Sequence, residues 1–226
     1  MFDDCGTFSH CGSEKYNCIL HNETVRGALS QAKAGKELNY GKGEKVFEAG
    51  KPVVGFYIIC QGVVKEISYQ DGESMTLSVF KRGGFMTGDA FFRERKWHET
   101  TAEAVYQSKV IFLPRSVFPQ LMRVDGSTVG KKLAQNMKRL RRRLSLTLFS
   151  VLENIAFWLI RLLPDSTNSF NIPNKELANI VGCSPVTMSR KLGRLARDNL
   201  IEKNGQEILV PEKKELQEVI PCIELI

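Results

Sequence analysis

The sequence predicts an α+β chain in which a small antiparallel β-roll of the jelly-roll (double-stranded β-helix) type precedes a long helix and a compact helical end. Three observations carry that expectation. Short β-branched and aromatic runs separated by glycines fill residues 25–125. From Ser127 the apolar residues fall at spacings of three and four. Residues 173–210 then hold two short helical patterns and a hairpin signal.

With 226 residues and 42% hydrophobic content, the chain can build one large core or two modest ones. No apolar run approaches the ~20 residues that cross a bilayer. The longest, "LTLFSVLENIAFWLIRLL", is interrupted by Glu153, Asn154 and Arg161 and reads as a buried helix. The first residues are acidic where a secretory leader is basic, so the expected location is the cytoplasm and no membrane partner is expected. A net charge of +7 favours a polyanionic partner.

Residues 1–24 are polar and hold Cys5, Cys11 and Cys18, with His10 and His21 among them. Within the roll of residues 25–125, glycines bracket a strand at Lys45–Phe47, and "GFYIICQGVVKEISY" is a strand-forming run broken at Gln61-Gly62. Asp71-Gly72 supplies a hairpin turn before "SMTLSVF". Residues 126–150 read as one helix with Val129, Leu133, Met137, Leu140, Leu144 and Leu148 on a single stripe. Lys131, Lys132, Lys138, Arg139, Arg141, Arg142 and Arg143 fall on its other faces. The stripe suits a seam between two copies of the chain, with docking on its own domain as the alternative.

Residues 151–226 carry the densest signals. Pro173–Gly182 reads as a short helix ended by a left-handed glycine. Ser184 is a good N-cap, and Pro185 suits the first helical position, where a missing N–H costs nothing. The second helix then runs to about Arg197, with Met188, Leu192 and Leu195 on its buried side, and a hairpin follows around Asn204-Gly205. Helix, turn, helix and hairpin make a winged helix-turn-helix, whose second helix enters the major groove of double-stranded DNA. Ser184, Val186, Thr187, Ser189 and Arg190 are the candidates for base contact. Lys175, Lys191, Arg194 and Lys203 are candidate phosphate contacts, with solvated surface as the alternative for each.

The motifs "GKGEKVFEAGKP", "FYIICQGVVKEIS", "GGFMTGDAFF" and "ELANIVGCSPVTMSRKLGRLARDNLIEKNGQEILV" resemble the Crp/Fnr superfamily of bacterial transcription regulators from about Lys36 to Val210. The resemblance implies a cyclic-nucleotide-binding-like roll, a dimerising helix and a homodimer on a pseudo-palindromic operator. It also implies RNA polymerase as a partner and an effector that shifts the two recognition helices. Gly88-Asp89 and Glu99-Thr100 stand where cyclic-AMP-responsive members hold ribose and cyclic phosphate. A glutamate at position 99 repels a phosphate, so cyclic AMP is disfavoured as the signal. Many members also carry a glutamate where this chain has Val186, whereas Arg190 stands at the guanine-reading position. Val186 instead suits a thymine methyl.

Oxygen-sensing relatives hold a [4Fe–4S] cluster with N-terminal cysteines and one distant cysteine. Here Cys5, Cys11 and Cys18 lack the close Cys-x-x-Cys pair, and an apolar residue near Ile111 replaces the distant ligand. Cys60 is then the fourth candidate, provided that it faces the N-terminal segment. A thiol switch, a small ligand in the roll, haem bound through His10, His21 or His98, and an inert tail remain open beside a cluster. Cys183 reads as a packed small residue, and Cys222 reaches a partner only if the tail folds back. No phosphate-binding loop, nucleophile elbow or zinc-protease motif is present, so an enzyme is not expected.

Overall fold

The computed structural model describes residues 18–31, 35–70, 73–87, 96–146, 149–164 and 167–220. The features expected at Cys5, His10, Cys11, Asp71-Gly72, Gly88-Asp89, Leu148 and Cys222 lie outside these residues, as do the side chains of His21 and Leu144.

The roll has two four-stranded sheets. One is ordered β1 (Lys36–Tyr40), β8 (Ser108–Pro114), β3 (Gly55–Gln61), β6 (Phe85–Met86). The other is ordered β2 (Lys45–Phe47), β7 (Thr101–Ala104), β4 (Val64–Gln70), β5 (Glu73–Phe80). Strand β3 is buried on both faces, and its alternation divides the core. Phe56 and Ile58 join Ile111 and Leu113 of β8 in one cluster, while Tyr57 and Ile59 join Val110 in another with Val46, Phe47 and Met86. The second cluster fills the roll, and burial there pushes the Tyr57 hydroxyl up to about 12. His98, the roll histidine considered as a haem ligand, is buried and stacks on Phe47 at 4.2 Å.

Helices cover the first cluster. A short turn at Ile19–His21 leads into α1 (Glu23–Gln31), and Ile19, Leu20, Val25 and Leu29 are all buried there. The polar N-terminal segment therefore ends sooner than residue 24, and the roll begins with a helix where the sequence suggests strands. Asn22 starts it: its Oδ1 accepts from the Thr24 and Val25 amides at 2.9 and 3.3 Å.

The long helix α2 spans Phe118–Ser145 and is interrupted at Asp125, whose φ of −154° and ψ of 66° are not helical. Asp125 restarts it, with Oδ1 accepting from the Thr128 amide at 3.0 Å. Its other oxygen accepts from Asn22 Nδ2 at 2.6 Å, so one side-chain pair caps two helices. The apolar stripe splits. Val129 is fully buried and Leu133 packs beside it within the chain's own core, whereas Met137 and Leu140 are 54% and 40% exposed. A single seam between copies along the whole stripe is thus corrected: its first half is satisfied at home.

The basic face is also less solvated than its composition suggests. Lys132 is buried, donating to the Gly83 carbonyl at 3.2 Å and to Gln135 Oε1 at 3.4 Å. Arg139 lies over the Phe80 ring at 4.9 Å, and Asn136 donates to the Phe85 carbonyl at 2.8 Å.

The chain divides into two compact units, one from residues up to Glu66 and Phe80–Arg139, the other from Ile67–Val79 and Leu140 onward. In the second, α3 (Val151–Leu162) begins with a capping box between Ser150 and Glu153 and buries seven residues from Ile155 to Leu162. It is the buried helix that the broken apolar run foretold. Then follow β9 (Ser169–Asn171), α4 (Asn174–Val181), α5 (Pro185–Arg197), the hairpin β10 (Glu202–Asn204) and β11 (Glu207–Leu209), and α6 (Lys213–Glu218). Strand β9 pairs with β11, which makes the wing a three-stranded sheet. No helix of the described residues is long and apolar enough to cross a membrane.

Candidate nucleic-acid interface

The turn between α4 and α5 follows from three residues. Gly182 adopts φ +86° and ends α4, with its amide bonded to the Ala178 carbonyl at 2.8 Å. Ser184 Oγ accepts from the Thr187 amide at 3.1 Å and lies 3.0 Å from Thr187 Oγ1. Pro185 occupies the first turn of α5 without a lost hydrogen bond. Met188, Leu192 and Leu195 are fully buried, and this fixes which face of α5 is turned outward.

That outward face carries Val186, Ser189 and Arg190, all exposed, with Val186 79% exposed. No acidic residue occupies the first turn. Val186 is thus an openly exposed apolar side chain at the N-terminal end of the helix that enters the major groove in this architecture.

The supporting cations differ among themselves. Lys175 is exposed at the start of α4, whereas Lys191 on α5 is half-buried. Arg194 Nε lies 3.6 Å from Asp198 Oδ2 on the same helix, an exposed pair that screening makes weak. Lys203 Nζ donates to the Gly205 carbonyl at 2.6 Å, so the wing lysine holds its own turn. In that turn Asn204 pairs with Glu207, which places Gly205 and Gln206 in the loop, one residue later than the sequence suggests.

The other candidate sites are less complete. Cys18 and Cys60 are each half-buried and both pack against the cluster that includes Val129. Cys60 packs against the cluster that Phe56 and Ile58 of the same strand share with Ile19 and Leu20, with a β-bulge between Ile59 and Gln61. Ile111, near which the resemblance expects the distant cysteine, lies in the same cluster. Among the described residues, no three histidine, cysteine or acidic side chains gather as a metal site. Cys183 is half-buried, and burial raises its thiol pKa. In the roll, Glu99 is exposed and Thr100 donates to Glu66 Oε1 at 2.6 Å.

Two stretches of the chain match known families. Residues 37–125 match the cyclic nucleotide-binding domain family, and residues 153–219 match the Crp-like helix-turn-helix domain. This chain belongs to the Crp/Fnr superfamily. Like other members it is a DNA-binding transcription regulator, and its relatives are regulators rather than enzymes. The cAMP-activated global transcriptional regulator of Escherichia coli O6:H1 is 27% identical over 180 residues, covering 75% of this chain and 86% of its own. Electron transport regulator A of Shewanella oneidensis is 24% identical over 191 residues, covering 77% and 74% respectively. A Crp/Fnr regulator structure from Thermus thermophilus has a TM-score of 0.68 at 22% identity, covering 83% of this chain and 99% of its own.

Proposed function

We propose that this Crp/Fnr regulator acts as a homodimer on a pseudo-palindromic operator and answers to a redox, gas or metal signal rather than to cyclic AMP. The observation that carries the signal reading is the shared environment of Cys18 and Cys60. Both border one core cluster, and that cluster also buries Val129 of the long helix. Four soft thiolates from Cys5, Cys11, Cys18 and Cys60 would suit a [4Fe–4S] cluster, which when bound supplies a centre whose charge and stability depend on oxidant.

The route from segment to helix runs through the chain's own contacts. Ile19 and Leu20 pack with Leu121 and Val129, and Asn22 holds Asp125 where the long helix restarts. A change at Cys18, four residues before Asn22, therefore acts on the start of that helix. Met137 and Leu140 supply the exposed seam for a second copy. On DNA, Arg190 would take a guanine by two hydrogen bonds and Val186 the methyl of a thymine, while Thr187 and Ser189 reach a base or phosphate. Lys175, Lys191, Arg194 and Lys203 would meet phosphates, and the assembled dimer would present itself to RNA polymerase.

Against cyclic AMP stands Glu99, a carboxylate where relatives place a guanidinium, with Thr100 already bonded to Glu66. A different small ligand in the roll is the second reading, favoured by the match of residues 37–125 to a nucleotide-binding domain.

Anaerobic purification with iron and sulfide analysis, followed by operator binding before and after air exposure, tests the proposal. A visible absorption band bleached by oxygen, with DNA binding changing in step and lost in Cys18→Ser and Cys60→Ser, is the expected result. An iron-free protein whose operator affinity ignores oxidants but responds to a nucleotide selects the second reading.

A further inference from the structure

The last turns of the long helix hold a cation that neither the cysteines nor the DNA-facing surface accounts for. Arg143 lies over the ring of Trp158 in α3, with its guanidinium carbon 5.5 Å from the ring centre. A Cβ at Gly182 would sit 3.4 Å from Arg143 Nη2, so the guanidinium also borders the turn of the helix-turn-helix. Trp158 is buried, and its indole N–H has no hydrogen-bond partner among the described residues. What Trp158 offers its neighbour is its π-face.

Three further details make the contact more than packing. Helix α4 has no basic residue in its last turn, so the guanidinium supplies the charge that its negative end favours. Gly182 lies two residues before Ser184, the cap that starts the recognition helix. Asn154 Nδ2 donates to the Leu146 carbonyl at 2.9 Å, so α3 is bonded directly to the chain just after the long helix ends. Burial lowers the Arg143 pKa, and a desolvated guanidinium is costly unless its surroundings repay it.

We infer that Arg143 is a positioning residue for operator recognition: held between the Trp158 ring and the turn at Gly182, it fixes the recognition helix to the last turns of the long helix. In a dimer this sets the separation of the two Arg190 side chains, and hence the spacing of the half-sites that both can reach. The inference rests on the dimeric reading given above.

The test uses the full chain and duplexes selected by the wild-type protein from a random pool. From these come derivatives with the spacer altered by one and two base pairs, and a duplex with one half-site. Arg143→Met should bind the single half-site within about two-fold of wild type, yet lose about ten-fold or more on the selected spacing. Its preference among spacers should flatten. Retained spacer preference in a folded Arg143→Met overturns the inference. So does failure of both Arg143→Met and Arg143→Gln to fold by circular dichroism, because the residue then holds the unit together rather than positioning it. A wild-type protein that binds one half-site as tightly as two overturns the dimeric reading instead, before any variant is made.

Discussion

The DNA-reading unit and the roll use the same device, a polar side chain that caps a helix, to different ends. In the first, Ser184 bonds an amide of its own helix, and the cap is local. In the second, Asn22 caps α1 and at the same time grips Asp125, the cap of a helix more than a hundred residues away in sequence. The local cap makes a rigid reading head. The shared cap makes the start of one helix depend on the presence of another, which is what a receiver of signals requires.

Breaking the reading head should give the largest effect. Arg190→Ala removes the proposed bidentate guanine contact, so operator affinity should fall by ~1–3 kcal/mol per half-site. Affinity for random duplex should hardly change, and a filter-binding titration against both duplexes checks it. In the roll, Asn22→Ala should cost about 1 kcal/mol, the usual worth of an N-cap. Hydrogen exchange should quicken at the Thr24, Val25 and Thr128 amides together, while α5 stays protected. Faster exchange at Thr24 and Val25 alone would reduce the shared cap to a local one.

Finer changes sharpen the contrast. Replacing the thymine proposed to meet Val186 by uracil deletes one methyl and should weaken binding by a few-fold, about 0.8 kcal/mol for a buried methyl-sized group. In Val186→Ala the same base change should cost less, and a double-mutant cycle isolates the pair. The smallest effect concerns acid. Hydrogen bonds from Thr128, first of all, hold the Asp125 carboxyl below its ordinary 3.8. A depressed folded-state pKa gives stability that is present above the unfolded value and lost as pH falls through the folded one. Wild type and Asp125→Asn should therefore differ in urea unfolding at pH 7 and converge only as pH falls below the ordinary 3.8.

The two units are also unequally legible. Around α5 each signal is local: a cap, a proline at the helix start, an αL glycine, and apolar residues three and four apart. Residues Ser184, Pro185, Gly182 and Leu192 can each be read from near neighbours, and they stand as expected. Helix α1 escapes such reading because its apolar positions, Val25 and Leu29, are few and follow a polar segment, although Asn22 before them is a good cap. The division of the long stripe has no local signal at all. Val129 and Met137 look alike by spacing, and what separates them is a core cluster that Val129 joins with residues of the roll and of the stretch 19–29. Lys132 and Arg143 read as solvated charges for the same reason, since Gly83 and Trp158 are distant in sequence. Cys5, Cys11 and Gly88-Asp89 lie outside the described residues, so of the effector-pocket residues expected in the roll only Glu99 and Thr100 are described.

Pro185 bears on how the protein finds its site. Most helices that meet DNA end-on offer several backbone amides to a phosphate, and such contacts bind any sequence. In α5 the first of these donors is missing by covalent structure, and the Thr187 amide is already given to Ser184. Val186 is left with the remaining amide of the three. With so few amides to offer, α5 leaves the common backbone to its side chains, so the regulator's grip on random DNA should loosen steeply as salt rises.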